Sequence, residues 1–472
     1  MLGPDDLHAY TSAVENELSH LSVPLDALYC DDCFRTEHCT SINAYYTEII
    51  DCLRKASELT ISKHLGMKRK RNVPGWNEYV KDSHDLLCDI YSLWALLGKP
   101  QDGYIRLQLR LARARFKYAL RFCLRHEKEL RAKSLAEKLV QNPYSLAAFW
   151  KEVRKLNNRP PVAHSVDSIS GCENVAGMWK EHFSNILNSV SSTDCKDFVL
   201  QQFQEETKTF NCISVPEILK STHELATGRS NGSDGLSAEH FKHAGVACAT
   251  HLSVCFSMMV KHSCVPHLFA KVVLTPIVKD RSGKLSEKDN YRPIAMASVS
   301  SKILERVILN RSSDQLSTGD HQFGFKEDHS TDMAIYALKE ITDYYLRNRS
   351  PVFICFLDAR KAFDRVNHWK LFAKLLERKV DTHLVRFLCS WYKSQQFHVL
   401  WGDVLSEGFS VSNGVRQGGI LSPFLFNVYT DELSTLLDKS GIGCHFQGSI
   451  NHLYYADDMV LLSPSSYGLQ KC

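Results

Sequence analysis

No run of apolar residues in the chain approaches the roughly 20 that a membrane-spanning helix needs. Met1 to His20 is polar and has no apolar centre of the kind a secretory signal peptide carries. Charge of one sign is scarce as well: 57 Lys and Arg against 53 Asp and Glu leave a net charge of only +4. So small an excess does not by itself demand a polyanionic partner, and its distribution matters more than its sum. The 16 cysteines follow no regular framework, which excludes a disulfide-stapled secreted scaffold. No internal repeat is visible. These absences point to an intracellular protein with free thiols, in the nucleus, the cytoplasm or both, neither secreted nor in a membrane.

What is present is ordinary globular composition, 44% apolar and 23% charged, over 472 residues, enough for two or three domains. Residues 1–156 read as a helical, basic region. Ser41–Lys55 has the pattern of an amphipathic helix. Cys30, Cys33, His38 and Cys39 offer metal-ligand types, but their spacing fits ordinary thiols better than a zinc knuckle. Lys68-Arg69-Lys70-Arg71 is a basic cluster, readable as a solvated linker or a nuclear address. From Tyr104 to Lys133 the basic residues concentrate: Arg106, Arg110, Arg113, Lys117, Arg121 and Arg125 fall on one stripe at helical spacing, beside an apolar stripe of Leu107, Leu111, Tyr118 and Phe122. That density on one side suits a nucleic-acid backbone. Asn142-Pro143 opens a further short helix carrying Phe149-Trp150, and Asn157 to Gly171 reads as a linker. The expected division is 1–156, then 157–211 with linker and short helices, then 212–472 as one domain.

The chemistry concentrates near the end of the sequence. In Tyr454-Tyr455-Ala456-Asp457-Asp458-Met459-Val460-Leu461-Leu462, two short apolar runs flank adjacent carboxylates. The runs read as strands of a hairpin, and the polar pair as its tip. A solvated turn and a metal site both fit this stretch alone. Val352–Leu357 is a second apolar strand, ending in Asp358. Three carboxylates at strand ends, with few other oxygen donors, suit Mg²⁺ held jointly with phosphates. Two such ions serve phosphoryl transfer by clamping the attacking and leaving oxygens.

Three stretches carry a resemblance: Phe356-Leu357-Asp358-Ala359-Arg360-Lys361-Ala362-Phe363-Asp364, Gly414-Val415-Arg416-Gln417-Gly418-Gly419-Ile420-Leu421-Ser422-Pro423, and Tyr455-Ala456-Asp457-Asp458. In order and spacing they resemble motifs A, B and C of the reverse transcriptases of LINE-type (non-LTR) retrotransposons, from about Leu225 onward. The resemblance implies an α+β fold: a helical N-terminal connector, then the fingers and palm of a right-hand polymerase, with an antiparallel sheet and packed helices. It implies Asp358, Asp457 and Asp458 as catalytic metal ligands for two Mg²⁺, with the Ala359 carbonyl contributing. It implies dNTP as substrate and an RNA template with a DNA primer as partners.

Lys279 and Arg292 then resemble the cations of the fingers that hold the incoming triphosphate. Phe363 resembles the aromatic that closes on the sugar and disfavours a 2′-OH, although sequence alone favours a core Phe. Gln417 resembles a contact to the nucleotide or template base, and Gly418 lets the backbone approach it closely. Asp364 reads as a structural cap; Gln322-Phe323-Gly324-Phe325 resembles the family's next block, with its aromatics read as core. Gly228 to Leu236 resembles the glycine-rich entry motif, with Asn231 and Ser233 where prolines usually stand; Asp234 or Ser237 caps the helix that follows. No catalytic motif of the family's endonuclease is present.

The family continues past motif C with a further palm strand, a primer grip and a thumb, whereas this sequence stops at Cys472. The expectation is a truncated copy with the thumb absent, polymerising little alone, and with Met459–Leu462 left as an exposed apolar edge. The function that follows is RNA-directed DNA synthesis; the alternative is a non-catalytic nucleic-acid-binding remnant. Oligomeric state is left open.

Overall fold

The structure is a computed structural model that describes residues 4–30, 36–61, 73, 75–130, 132–133, 165–190, 192–205, 209–280, 283–446 and 448–471. The Lys68–Arg71 cluster, Cys33, the Asn142–Pro143 and Phe149–Trp150 segment and residues 157–164 of the expected linker lie outside the described residues. Helices and short strands are mixed, and none of the described helices is long and apolar enough to cross a membrane. Contacts divide the chain into two units, residues 1–63 with 162–472, and residues 64–161.

In the smaller unit a helix at Lys81–Leu96 pairs with a second at Tyr104–Arg125. The second helix buries Leu109, Ala112 and Cys123, while Leu107, Leu111 and Tyr118 are exposed. This corrects the apolar stripe expected from sequence. Phe116 and Ala119 pack beside Cys123, so the buried positions recur every three or four residues. That face packs Phe116, Ala119, Phe122 and Cys123 against Val73, Trp76, Val80 and Leu130, which leaves Leu107, Leu111 and Tyr118 on the solvent side. Arg110, Arg113, Lys117, Arg121 and Arg125 are exposed, and the Arg106 guanidinium lies 5.5 Å over the Trp94 ring.

The larger unit begins with helices at Pro4–Leu18 and Thr36–Ile61. Ile42, Tyr46, Ile49, Ile50 and Leu53 repeat at helical spacing on the second and are fully buried. They join one core with Phe256, Phe269, Leu371 and Trp391, and the Tyr46 hydroxyl meets Ser300 Oγ at 2.6 Å. The N-terminal helices are thus part of the unit that carries the three motifs.

The strands are β1 (Ser165–Val166), β2 (Ile169–Ser170), β3 (Lys271–Val278), β4 (Tyr291–Met296), β5 (Phe353–Asp358), β6 (Gln396–Trp401), β7 (Val404–Leu405), β8 (Cys444–His445), β9 (Ser449–Ile450), β10 (His452–Tyr455) and β11 (Asp458–Ser463). β10, β11 and β5 form an antiparallel three-stranded sheet in that order. A second sheet runs β4-β3-β6-β7, and within it β3 and β6 are parallel. β11 is therefore the middle strand of its sheet, with Leu461 and Leu462 buried. The expected exposed edge at Met459–Leu462 is not there, because β5 docks along β11 in register and covers it. The exposed apolar edge belongs to β5, where Phe353, Phe356 and Leu357 are open to solvent.

Candidate active site

The β10–β11 hairpin turns at Ala456-Asp457, with Tyr455 paired to Asp458. Ala456 takes a left-handed backbone, φ +60°, unusual for a residue with a Cβ. Its surroundings hold it there. Gln322 Oε1 accepts from the Ala456 amide at 3.1 Å, and Gln322 Nε2 donates to the Ala456 carbonyl at 3.3 Å. Gly324 packs so closely that a Cβ on it would lie 2.3 Å from the Ala456 nitrogen. The Gly324 carbonyl accepts from Asn427 Nδ2 at 2.9 Å, which ties the turn to the helix Ser422–Lys439.

Asp358 ends β5 directly opposite Asp458. The Asp458 carboxyl is raised above its ordinary range by partial burial and by the charges of Asp457 and Asp358. Three carboxylates are thus gathered on one sheet end and repel one another, an arrangement that a divalent cation would relieve. Among the described residues the three do not bring their oxygens within 4.8 Å of one another; the group that meets that distance is His321, Asp438 and His452. Ala359 follows Asp358 and is exposed.

Phe363 and Asp364 lie in a short 3₁₀ turn after β5. Phe363 stacks on Phe426, centroids 4.4 Å apart at 11°, and meets Phe325 edge-on at 6.0 Å. It is half-buried. Asp364 is buried, and burial raises its carboxyl. It accepts from Gln417 Nε2 at 2.8 Å, and its backbone carbonyl accepts from Asn413 Nδ2 at 2.6 Å. Asp364 therefore orients Gln417, which sequence reasoning did not assign to it.

The loop 416–420 is anchored from two sides. The Gln417 carbonyl accepts from Ala295 N of β4 at 2.8 Å. Gly418, at φ +118°, sits where a Cβ would lie 2.9 Å from the Ala295 carbonyl. On the other side Arg416 forms a fully buried ion pair with Glu305 of the helix Val299–Arg311. Its guanidinium lies 4.4 Å over Trp391, and Glu305 Oε2 accepts from Ile420 N at 2.6 Å. Removing one member of such a pair strands the other charge. Glu305→Gln is expected to destabilise the fold by about 3–5 kcal/mol, read as a lowered denaturant midpoint; an unchanged midpoint would show that the pair is not holding the loop.

Lys279 and Arg292 stand on the β3–β4 hairpin. Ile277 is opposite Arg292, so strand alternation puts Lys279 on the same face as Arg292. Both are exposed, and neither makes an ion pair among the described residues. The structure thus gathers the three aspartates at one sheet end, and groups Phe363, Asp364 and Gln417 beside the 416–420 loop. It leaves Lys279 and Arg292 as free cations on one sheet face. Farther away, Ser237 is the N-cap of the helix Ala238–Lys242, and Asp234 is buried in the glycine-rich loop, where its Oδ1 accepts from Leu236 N at 3.1 Å.

Gln322, Gly324, Asn427 and Glu305 hold the site and were not singled out from sequence. Glu305 carried a readable signal, a charge between the apolar Leu304 and Val307 of one helix. Gln322 and Gly324 carried none beyond lying among aromatics.

Residues 278–472 match the family model described as reverse transcriptase (RNA-dependent DNA polymerase). The chain is 25% identical over 373 residues to a probable RNA-directed DNA polymerase from transposon BS of Drosophila melanogaster, covering 75% of this chain and 40% of that protein. It is 22% identical over 399 residues to the RNA-directed DNA polymerase from mobile element jockey of the same fly, covering 80% and 43%. Over 108 residues it is 34% identical to the Pol polyprotein from type-1 retrotransposable element R2 of Popillia japonica, covering 22% and 18%. The chain spans less than half the length of these curated relatives. A telomerase structure from Candida tropicalis aligns with all of this chain and 69% of its own, at 11% identity and a TM-score of 0.32, a level that carries no structural argument.

Proposed function

We propose, on the premise that residues 278–472 are a reverse transcriptase domain of the kind carried by non-LTR retrotransposons, that the chain adds deoxynucleotides to a DNA 3′-OH on an RNA template. The observation that carries this reading is the register of β5 against β11, which sets Asp358 opposite Asp458 beside the clamped Ala456-Asp457 turn. Asp358, Asp457 and Asp458, with the Ala359 carbonyl, would hold two Mg²⁺, which when bound neutralise charge on the attacking and leaving oxygens. In this reading the β5–β11 sheet is the palm and the β3–β4 hairpin belongs to the fingers. Arg292 offers a bidentate fork and Lys279 a point charge to the incoming triphosphate. Asp364 fixes the Gln417 amide toward the nucleotide or template base. Primer extension on poly(rA)/oligo(dT) with dTTP tests the proposal. Incorporation that requires both the RNA template and a divalent cation is expected. Incorporation that persists without the RNA template or in excess chelator would overturn it.

Phe363 is the proposed gate against ribonucleotides. Its ring is fixed on both sides by Phe426 and Phe325, so it cannot swing aside without breaking a stack. Phe363→Val should raise ribonucleotide use relative to deoxynucleotide use by about tenfold or more, as expected for relieving one steric contact. A ratio of kcat/KM values that stays put would make Phe363 a core residue only.

In the smaller unit the exposed Arg110, Arg113, Lys117 and Arg121 are proposed to meet nucleic-acid phosphates. Changing these four to Gln should weaken RNA binding and flatten its salt dependence, by about 0.7 to 0.9 in log–log slope per lost contact. A slope equal to the parent's would leave the stripe a solvated face.

A further inference from the structure

His321, Asp438 and His452 place one potential ligand atom each within 4.8 Å of one another. The three come from separate places. Asp438 lies near the end of the helix Ser422–Lys439, and His452 starts β10. His321 is brought alongside because the Tyr454 amide donates to its carbonyl at 2.7 Å and Gln322 bridges to Tyr454. His321 Nδ1 lies 3.2 Å from Asp438 Oδ1, and His452 Nδ1 lies 3.8 Å from the same oxygen. Ligand bonds of about 2.0–2.2 Å in tetrahedral geometry separate donor atoms by roughly 3.4 Å, between these two distances.

The buried end of the cluster is built. Asn451 is 1% exposed, and its Oδ1 lies 2.6 Å from His452 Nδ1. Its Nδ2 donates to the Leu437 carbonyl, which fixes Oδ1 against His452 Nδ1. On its far side, His452 Nε2 meets the buried Ser434 hydroxyl at 2.6 Å. A metal-bound imidazole characteristically donates its other N–H to such a partner. Nδ1–H donates to Asn451 Oδ1, and the Ser434 hydroxyl donates to Nε2. A bound ion would take the place of the Nδ1 proton; the ring proton then sits on Nε2, which donates to Ser434.

We infer that His321, Asp438 and His452 form a structural site for a borderline transition-metal dication such as Zn²⁺, separate from the aspartates at the other end of β10. Two imidazole nitrogens and a carboxylate oxygen suit Zn²⁺ or Co²⁺, whereas Mg²⁺ selects oxygen-only sets with several waters. The ion would pin the segment that carries Gln322 and Gly324 to the hairpin whose turn those residues clamp.

The test uses the full chain stripped by chelator and titrated with Co²⁺, counting bound equivalents, with Zn²⁺-dependent melting measured in parallel. The parent is compared with a His321→Gln/Asp438→Asn double variant and with Asp438→Asn alone. Both side chains are partly open to solvent, 25% and 48%, so the apo fold should survive. The double variant should bind one equivalent fewer and lose the Zn²⁺-induced rise in melting temperature; Asp438→Asn alone should weaken that equivalent by about tenfold or more. Cobalt held by cysteines is common to all three proteins and cancels in the comparison. Equal equivalents and an equal melting shift in parent and variants would overturn the site, as would displacement of the differing equivalent by millimolar Mg²⁺.

Discussion

Asp358→Asn or Asp457→Asn is expected to reduce nucleotide incorporation by about a thousandfold or more while leaving the protein at least as stable without metal. Both halves follow from the same geometry. Asp358 faces Asp458 across the β5–β11 pair, and Asp457 is its neighbour in the turn. Partial burial first, and then the charges of Asp457 and Asp358, raise the Asp458 carboxyl above the ordinary carboxylate range. Replacing one carboxylate by its isosteric amide removes repulsion and changes almost no volume. Asp458 should then ionise more readily, and melting temperature should hold or rise. What the amide cannot supply is the negative oxygen that a divalent cation requires. Primer extension and thermal melting on the same preparations check both statements. Incorporation near the parent rate in both variants would remove the aspartates from the chemistry, and a marked fall in melting temperature would show that the carboxylates hold the sheet rather than the metal.

Gly324→Ala is expected to cost about a hundredfold in rate without touching any proposed ligand. The added methyl would sit 2.3 Å from the Ala456 nitrogen and 2.9 Å from its Cα. Those are backbone atoms, so no side-chain rotation relieves the clash, and either the 322–325 segment or the turn must move. Ala456 is held at φ +60° by two hydrogen bonds exchanged with the Gln322 amide, and Asp457 is the next residue. A shift of about 1 Å in a positioned group costs on the order of 100-fold in rate. Overpacking adds about 1–3 kcal/mol of destabilisation. Gly319→Ala is the control, because a Cβ there meets nothing within 4 Å. The expected pattern is a low kcat for Gly324→Ala with template binding retained, and parental kinetics for Gly319→Ala. Two variants alike in kcat would mean that the turn does not depend on the Gly324 contact.

The reading of the Arg416–Glu305 pair complements these two. It acts on the opposite side of the site, through the 416–420 loop, and its failure appears first as lost stability. Gly324→Ala appears first as lost rate. Measuring both quantities on both variants separates a misplaced turn from an unanchored loop.

The sequence by itself determined the strands and their chemistry. Apolar runs ending in Asp358, and flanking Asp457-Asp458, are strands because they are too short for helices, and the structure forms them as β5, β10 and β11. Local signals also offered Asp234 or Ser237 as a helix cap, and Ser237 is the one that takes it. Such features depend on neighbours within a few residues, so they can be read in line. Tertiary structure alone decided which partner each strand took. β11 became a middle strand rather than an edge because β5, about a hundred residues earlier in the chain, matched its register. The helix Tyr104–Arg125 turned Phe116, Ala119 and Cys123 inward and left Leu107, Leu111 and Tyr118 exposed because its packing partners, among them Trp76 and Val80, lie on that side. The clamp on Ala456 joins residues 134 positions apart, and the Arg416–Glu305 pair joins residues 111 apart. His321, Asp438 and His452 meet because one strand, one helix end and one loop converge. Contacts of this kind leave no trace in a local pattern, since each partner is by itself an ordinary polar residue or glycine, and only the folded chain brings them within reach.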